Sequence, residues 1–252
     1  MPTATPCAEG EVTFLRLEKV TRTVELPDET PLHILNGVDL EVEVGDHVSI
    51  VGRSGSGKTT LLNLLGMLDN PTSGSIFFDD RALSSYRRGA RDRKRGKDIG
   101  FIFQQFNLLS GRTALENVMM PLFYASGRTF LNRRRIATRI LEDIGLGERL
   151  DYMPERLSGG EQQRVAIARS LVRGPRLILA DEPTGALDIE TGKSIMGLLD
   201  QVAERSGAAL ITITHDANIA ALARRHYRLD RGVLEPIDVR RVVAAAAADV
   251  TL

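Results

Sequence analysis

Between an apolar stretch ending at Val51 and the helical run TLLNLLG lie Gly52, Arg53, Ser54, Gly55, Ser56, Gly57, Lys58, Thr59 and Thr60. Glycines let successive backbone N–H groups curl around an anion, and a helix that starts directly afterwards adds its partial positive charge. A lysine followed by a hydroxyl at that helix start can reach the outer phosphate oxygens and a divalent cation. The spacing predicts a loop that cradles the phosphates of ATP, with Lys58 acting on the terminal phosphates and Thr59 ligating Mg²⁺. Farther along, residues 176–183, RLILADEP, form an apolar stretch that ends in two carboxylates. Ligands of open α/β sheets bind where strands end, so Asp181 is expected to hold Mg²⁺ through water. Glu182 is expected to polarise the water that attacks the γ-phosphate. An Asp-Glu pair alone is common in solvated turns; downstream of a phosphate loop it points to phosphoryl transfer to water.

Such groups must be delivered by strand ends and helix starts, and the rest of the chain supplies both. β-rich segments recur at 12–20, 38–44, 47–51, 75–78 and 99–103, with a turn at 69–74, and together suggest a mixed sheet. From about 108 to 173 the apolar residues change to helical spacing, predicting helices over 113–125, 130–144 and 159–172. Strands return at 177–181 and 209–214, each followed by a helical stretch, the alternation of a parallel sheet. A helical insert within an α/β fold is implied. Residues 1–11, small and polar with prolines, and residues 241–252 are expected to be tails.

The chain has 252 residues, 42% hydrophobic and 26% charged, a globular balance. Its 33 basic and 33 acidic residues leave no net field to attract nucleic acid or an anionic membrane, so any such contact has to be local. The one cysteine, Cys7, cannot close an internal disulfide, which fits a reducing compartment. No stretch approaches the ~20 apolar residues that span a bilayer, so membrane work would need another chain. Residues 87–97, RRGARDRKRGK, carry seven basic residues against one acid, and Arg133 to Arg135 form a second cluster. A solvated surface is the plain reading of both; contact with a permease or lipid head groups is the other.

Residues 157–164, LSGGEQQR, resemble the signature motif of the ABC transporter ATPases. In that family this segment of one subunit caps the γ-phosphate bound to the other subunit's phosphate loop. Ser158, Gly159, Gly160 and Glu161 are thereby implied as nucleotide-binding residues across a head-to-tail homodimer. Physically, a serine and exposed helix-start amides make a second anion site. The resemblance extends in order along residues 12–235. Gln104 resembles the glutamine that ligates Mg²⁺ and senses the permease, with Gln105 the alternative register; Gln104 directly follows the strand. Ala186, Leu187 and Asp188 resemble the loop that communicates between the two sites, and His215 resembles the switch histidine at the γ-phosphate. One departure concerns the aromatic residue that stacks on adenine. Residues 21–26 contain none, and Val24 is expected to cover the base instead.

The fold implied is a P-loop NTPase (RecA-like) α/β core with an antiparallel β subdomain and an inserted α-helical subdomain at about 108–173, the domain covering 12–240. The stretches around residues 32–66, 99–118 and 156–171 look like the lipoprotein-release, macrolide-export and FtsE-like branch. That implies a peripheral ATPase on the cytoplasmic face of the membrane, powering a separate permease by export, lipoprotein extraction or mechanotransmission. Residues 105–115 are the implied permease contact. An importer-type subunit would share every catalytic residue. A soluble ABC ATPase acting on nucleic acid or ribosomes usually carries two cassettes or a long coiled-coil insertion, which this sequence lacks, so no nucleic-acid partner is expected.

Overall fold

The computed structural model describes residues 13–27 and 30–238. The expected tails at 1–11 and 241–252, and Cys7, lie outside these residues. In chain order the strands are β1 (Thr13–Glu25), β2 (Pro31–Glu43), β3 (His47–Val51), β4 (Ser73–Phe78), β5 (Arg81–Ala82), β6 (Ile99–Ile102), β7 (Leu177–Asp181), β8 (Ala209–Thr214), β9 (Arg225–Asp230) and β10 (Val233–Pro236). The helices are α1 (Lys58–Leu65), α2 (Arg88–Asp98), α3 (Ala114–Met119), α4 (Gly127–Leu131), α5 (Arg133–Asp143), α6 (Gly159–Leu171), α7 (Ile189–Ser206) and α8 (Ala217–Ala220).

The strands make two sheets, a mostly parallel one and the antiparallel β subdomain that the family resemblance implies. β1 and β2 alternate apolar and polar residues at Leu15 and Leu17 and at Val38, Leu40 and Val42, and a register shift lets Leu35 join the same buried core. They pair antiparallel, β4 and β5 add to β1, and the order is β2-β1-β4-β5. The other sheet runs β10-β9-β3-β8-β7-β6. β9, β3, β8, β7 and β6 are parallel there, and β10 is an antiparallel edge. β8 is buried along its whole length, as expected of a parallel strand covered on both faces.

Helix α1 lies between the two sheets. Leu61, Leu62, Leu64 and Leu65 are all at most 1% exposed, in one core with residues of β1, β2, β3, β4, β7 and β8. The phosphate loop's helix is thus held through its leucines by both sheets. A second core, with Ala114, Leu115, Leu141 and Val165, joins α3, α5 and α6. A third packs Ile167 and Leu171 of α6 with Ile195 and Leu199 of α7 against β7 and β8.

The helices differ from expectation where local chemistry interrupts the apolar period. The helix expected over 113–125 starts with a capping box between Thr113 and Glu116, then tightens at Met120 into a 3₁₀ turn containing Pro121. The one expected over 130–144 divides at Asn132, whose side chain donates to the Arg128 carbonyl at 2.8 Å. The basic stretch 87–97 is helical as α2, with no buried residue, and is not simply solvated. Arg91 donates to the carbonyls of Met67 and Asp69 and to the Asn70 side chain, Arg95 to the Met67 carbonyl, and Lys94 sits 3.0 and 2.8 Å from Asp79 and Asp98. These cations hold the chain that follows α1. Among the described residues no helix is long and apolar enough to cross a membrane.

Candidate active site

Four neighbouring strands of the parallel sheet, β3, β8, β7 and β6, end at one edge. The segments that follow them line a cleft of about 730 Å³. The loop after β3 brings Ser54, Gly55, Gly57, Lys58, Thr59 and Thr60; β7 ends on Asp181 and Glu182; His215 follows β8 and Gln104 follows β6. Gln105 is not in the lining, so the cleft holds the glutamine favoured by sequence.

The loop's shape is enforced locally. Gly57 takes a left-handed φ of 101°, and a Cβ there would stand 2.9 Å from the Ile34 carbonyl, so only glycine fits. No side chain caps α1. Lys58 Nζ donates to the carbonyls of Gly52 at 2.7 Å and Arg53 at 2.9 Å, which bends the loop back over its own lysine. Gly52 and Arg53 thus shape the loop; neither they nor Ser56 is part of the lining, and the Ser56 hydroxyl is buried without a partner among the described residues.

Glu182 has a left-handed backbone, φ 46°, unusual for a residue with a side chain. Its amide donates to Ile213 of β8, its carboxylate accepts from Thr214 Oγ1 at 3.2 Å, and Oε1 lies 2.8 Å from His215 Nδ1. The next residue is held too: the buried Gln163 of α6 donates to the Pro183 carbonyl at 2.6 Å. Asp181 titrates above the ordinary carboxylate, first because burial disfavours its charge and second because Glu182 repels it; Lys58 offsets part of this.

The donor set suits a magnesium nucleotide. Lysine and helix-start amides meet phosphate on one side. On the other a threonine hydroxyl, an amide and a carboxylate offer the hard oxygens that Mg²⁺ takes beside water and phosphate. Two adjacent carboxylates, one destabilised by the other, also fit a site that receives a cation.

Several sequence candidates lie outside this cleft. Val24 is not in the lining; its cross-strand partner Leu32, together with Ile34, is. Ser158, Gly159, Gly160, Glu161 and Asp188 do not line it either. Ser158 caps α6 and accepts from the Glu161 amide, while the Glu161 carboxylate accepts from the Ser158 amide at 2.8 Å and from Arg149 at 3.1 Å. The Ser158 amide, ahead of Arg149, holds the Glu161 carboxyl below its usual range, so that carboxylate is committed to its own chain. Asp188 caps α7 through the Thr191 amide. The structure thus gathers one half of the expected nucleotide contacts and sets the other half on a separate surface.

The model for "ABC transporter" matches residues 35–185, from β2 through the loop after Glu182. The chain belongs to the ABC transporter family. Its fold is that of the family's solved cassettes. The dimeric post-hydrolysis structure of the ATP-binding cassette MJ0796, bound to ADP and Pi, superposes with a TM-score of 0.81 at 40% identity, covering 90% of this chain and 99% of that one. Among curated relatives, the lipoprotein-releasing system ATP-binding protein LolD of Psychrobacter arcticus is 47% identical over 85% of this ABC transporter chain and 96% of its own length. The macrolide export ATP-binding/permease protein MacB of Syntrophobacter fumaroxidans is 46% identical over 88% of this chain, which spans 31% of that longer protein.

Proposed function

We propose that this chain is the ATP-hydrolysing cassette of a membrane transporter, forming a homodimer on the cytoplasmic face of a separate permease. The observation that carries the reading is the division of the site: phosphate loop, acidic pair and His215 share one cleft, while Ser158 and its helix start lie outside it. The likeness to LolD, an ATP-binding protein of a lipoprotein-releasing system matched over nearly its whole length, supports the separate permease and the lipoprotein-release branch. The dimeric form of the MJ0796 cassette supports the homodimer.

In this reading 12–240 is one ATPase domain with a helical subdomain at about 108–173. Gly55, Gly57 and the first amides of α1 hold the β- and γ-phosphates with Lys58, and Leu32 and Ile34 cover the base. Thr59, Gln104 and Asp181 would hold Mg²⁺, which would supply positive charge to offset that of the phosphates. Glu182 orients the attacking water and accepts its proton; His215 supports Glu182 and contacts the γ-phosphate. Ser158, Gly159 and Gly160 serve the partner's ATP, so closure of the dimer completes both sites and drives the permease. The test is Glu182→Gln. Hydrolysis is expected to fall by about 10²- to 10⁴-fold while MgATP still binds and the variant accumulates as a dimer in size-exclusion chromatography. Near wild-type turnover would remove Glu182 from the mechanism.

A further inference from the structure

Helices α4 and α5 carry Arg128, Arg133, Arg134, Arg135 and Arg139. Arg133 turns inward: its guanidinium lies over the rings of Phe130 at 4.6 Å and Phe123 at 5.2 Å and donates to the Phe130 carbonyl at 2.9 Å. The guanidinium groups of Arg128, Arg134, Arg135 and Arg139 have no hydrogen-bond or ion-pair partner among the described residues. Arg134, Arg135 and Arg139 line one groove of about 680 Å³ together with Leu131, Ile136 and Thr138. Glu142 is the only acid in that lining, so three positive charges face one negative. Leu131 stands 76% exposed at its edge, while Ala137 and Leu141 on the opposite side of α5 are fully buried.

We propose that this groove seats the head group of an anionic phospholipid, so that α5 lies against the membrane surface with Leu131 at the acyl boundary. Guanidinium is weakly hydrated and matches phosphate oxygens two at a time, and its planar fork is pre-organised for that geometry. The cations of α5 beside the exposed Leu131 that ends α4 make the mixed basic and apolar surface that interfacial segments present to lipid. An acidic protein segment would satisfy the arginines but leaves the exposed leucine without a role. The whole chain carries no net charge, so attraction to an anionic surface has to come from a local patch such as this one. The proposal rests on the reading that the cassette works at a membrane, but it concerns the chain's own contact with lipid and needs no permease.

The test is flotation of the purified protein with vesicles of phosphatidylcholine, with or without phosphatidylglycerol. The protein is expected to float only with phosphatidylglycerol, and less so as salt is raised. The combined variant Arg134→Ser, Arg135→Ser and Arg139→Ser is expected to bind about a hundredfold more weakly, each cation near an anionic surface contributing roughly tenfold or less. Leu131→Ser is expected to weaken binding several-fold, while ATP hydrolysis without vesicles stays unchanged in both. Removing equal charge at Arg87, Arg88 and Arg93 is expected to leave binding within about twofold, because those cations act through screened long-range attraction alone. Equal loss in that control, flotation that ignores phosphatidylglycerol, or binding to polyglutamate but not to vesicles overturns the proposal. Normal turnover by Glu182→Gln alongside normal flotation would sink the ATPase mechanism and leave this inference standing.

Discussion

Asp181 shows how one side chain can be placed for a ligand at the expense of the free protein. Its folded form holds a proton more tightly than the unfolded chain, because burial and then Glu182 disfavour its charge. A carboxyl raised in the native state makes stability fall as pH rises through the window just above the model value of 3.8. Asp181→Asn removes that dependence. The free variant is expected to melt higher than wild type at neutral pH and to lose the slope in that window, while MgATP hydrolysis falls by about tenfold or more as a metal contact is lost. A lower melting temperature for the variant would contradict the assigned cause. At this scale the sequence was informative where chemistry is contiguous: Lys58, Thr59, Asp181 and Glu182 each sit beside the glycine or apolar run that explains them. That Leu32 and Ile34 line the cleft was not legible, because the sequence points only to residues 21–26, where the family has its aromatic residue. The register that sets Val24 opposite Leu32 exists only once the hairpin forms. The grip of Thr214 on Glu182 likewise joins residues 32 positions apart.

Among the elements, α1 is the one whose packing the phosphate loop depends on. Its four leucines are all buried, because the helix lies between the two sheets. Leu64→Ala is expected to lower unfolding free energy by about 2–5 kcal/mol in urea titration, the range for emptying a leucine site in a close-packed core. A loss below about 1 kcal/mol would mean that the sheets close over the gap more readily than close packing allows. Strands 177–181 and 209–214 were legible to the residue, since each is a short apolar run bounded by polar turns. α2 was not, since it has no buried face for periodicity to report; arginine contacts to carbonyls at the end of α1 hold it in place. The division of the first strands between two sheets is a long-range pairing choice that alternation cannot encode.

For the whole molecule, the decisive arrangement is that Ser158 lies outside the cleft its own Lys58 lines. Two inactive variants should therefore rescue each other. Ser158→Arg spoils the surface offered to a partner, and Lys58→Ala spoils the chain's own phosphate loop. Mixed dimers contain one intact pairing, so an equal mixture is expected to recover up to about a quarter of wild-type hydrolysis, from statistical pairing of a two-fold dimer. Absence of recovery, with mixed dimers demonstrated by crosslinking, would place both functions in a single chain. Helix α6, which begins at Ser158, has a foot in two cores: Val165 and Ala168 pack among the helices, Ile167 and Leu171 against β7 and β8. It behaves as a lever with two fulcrums. A tilt of the helical part that α6 followed as a rigid rod would be felt at the strand that ends on Asp181, and through the Gln163 contact to Pro183 at the bend beside Glu182. Force arriving from outside the cassette would then register as a change in the aim of one carboxylate.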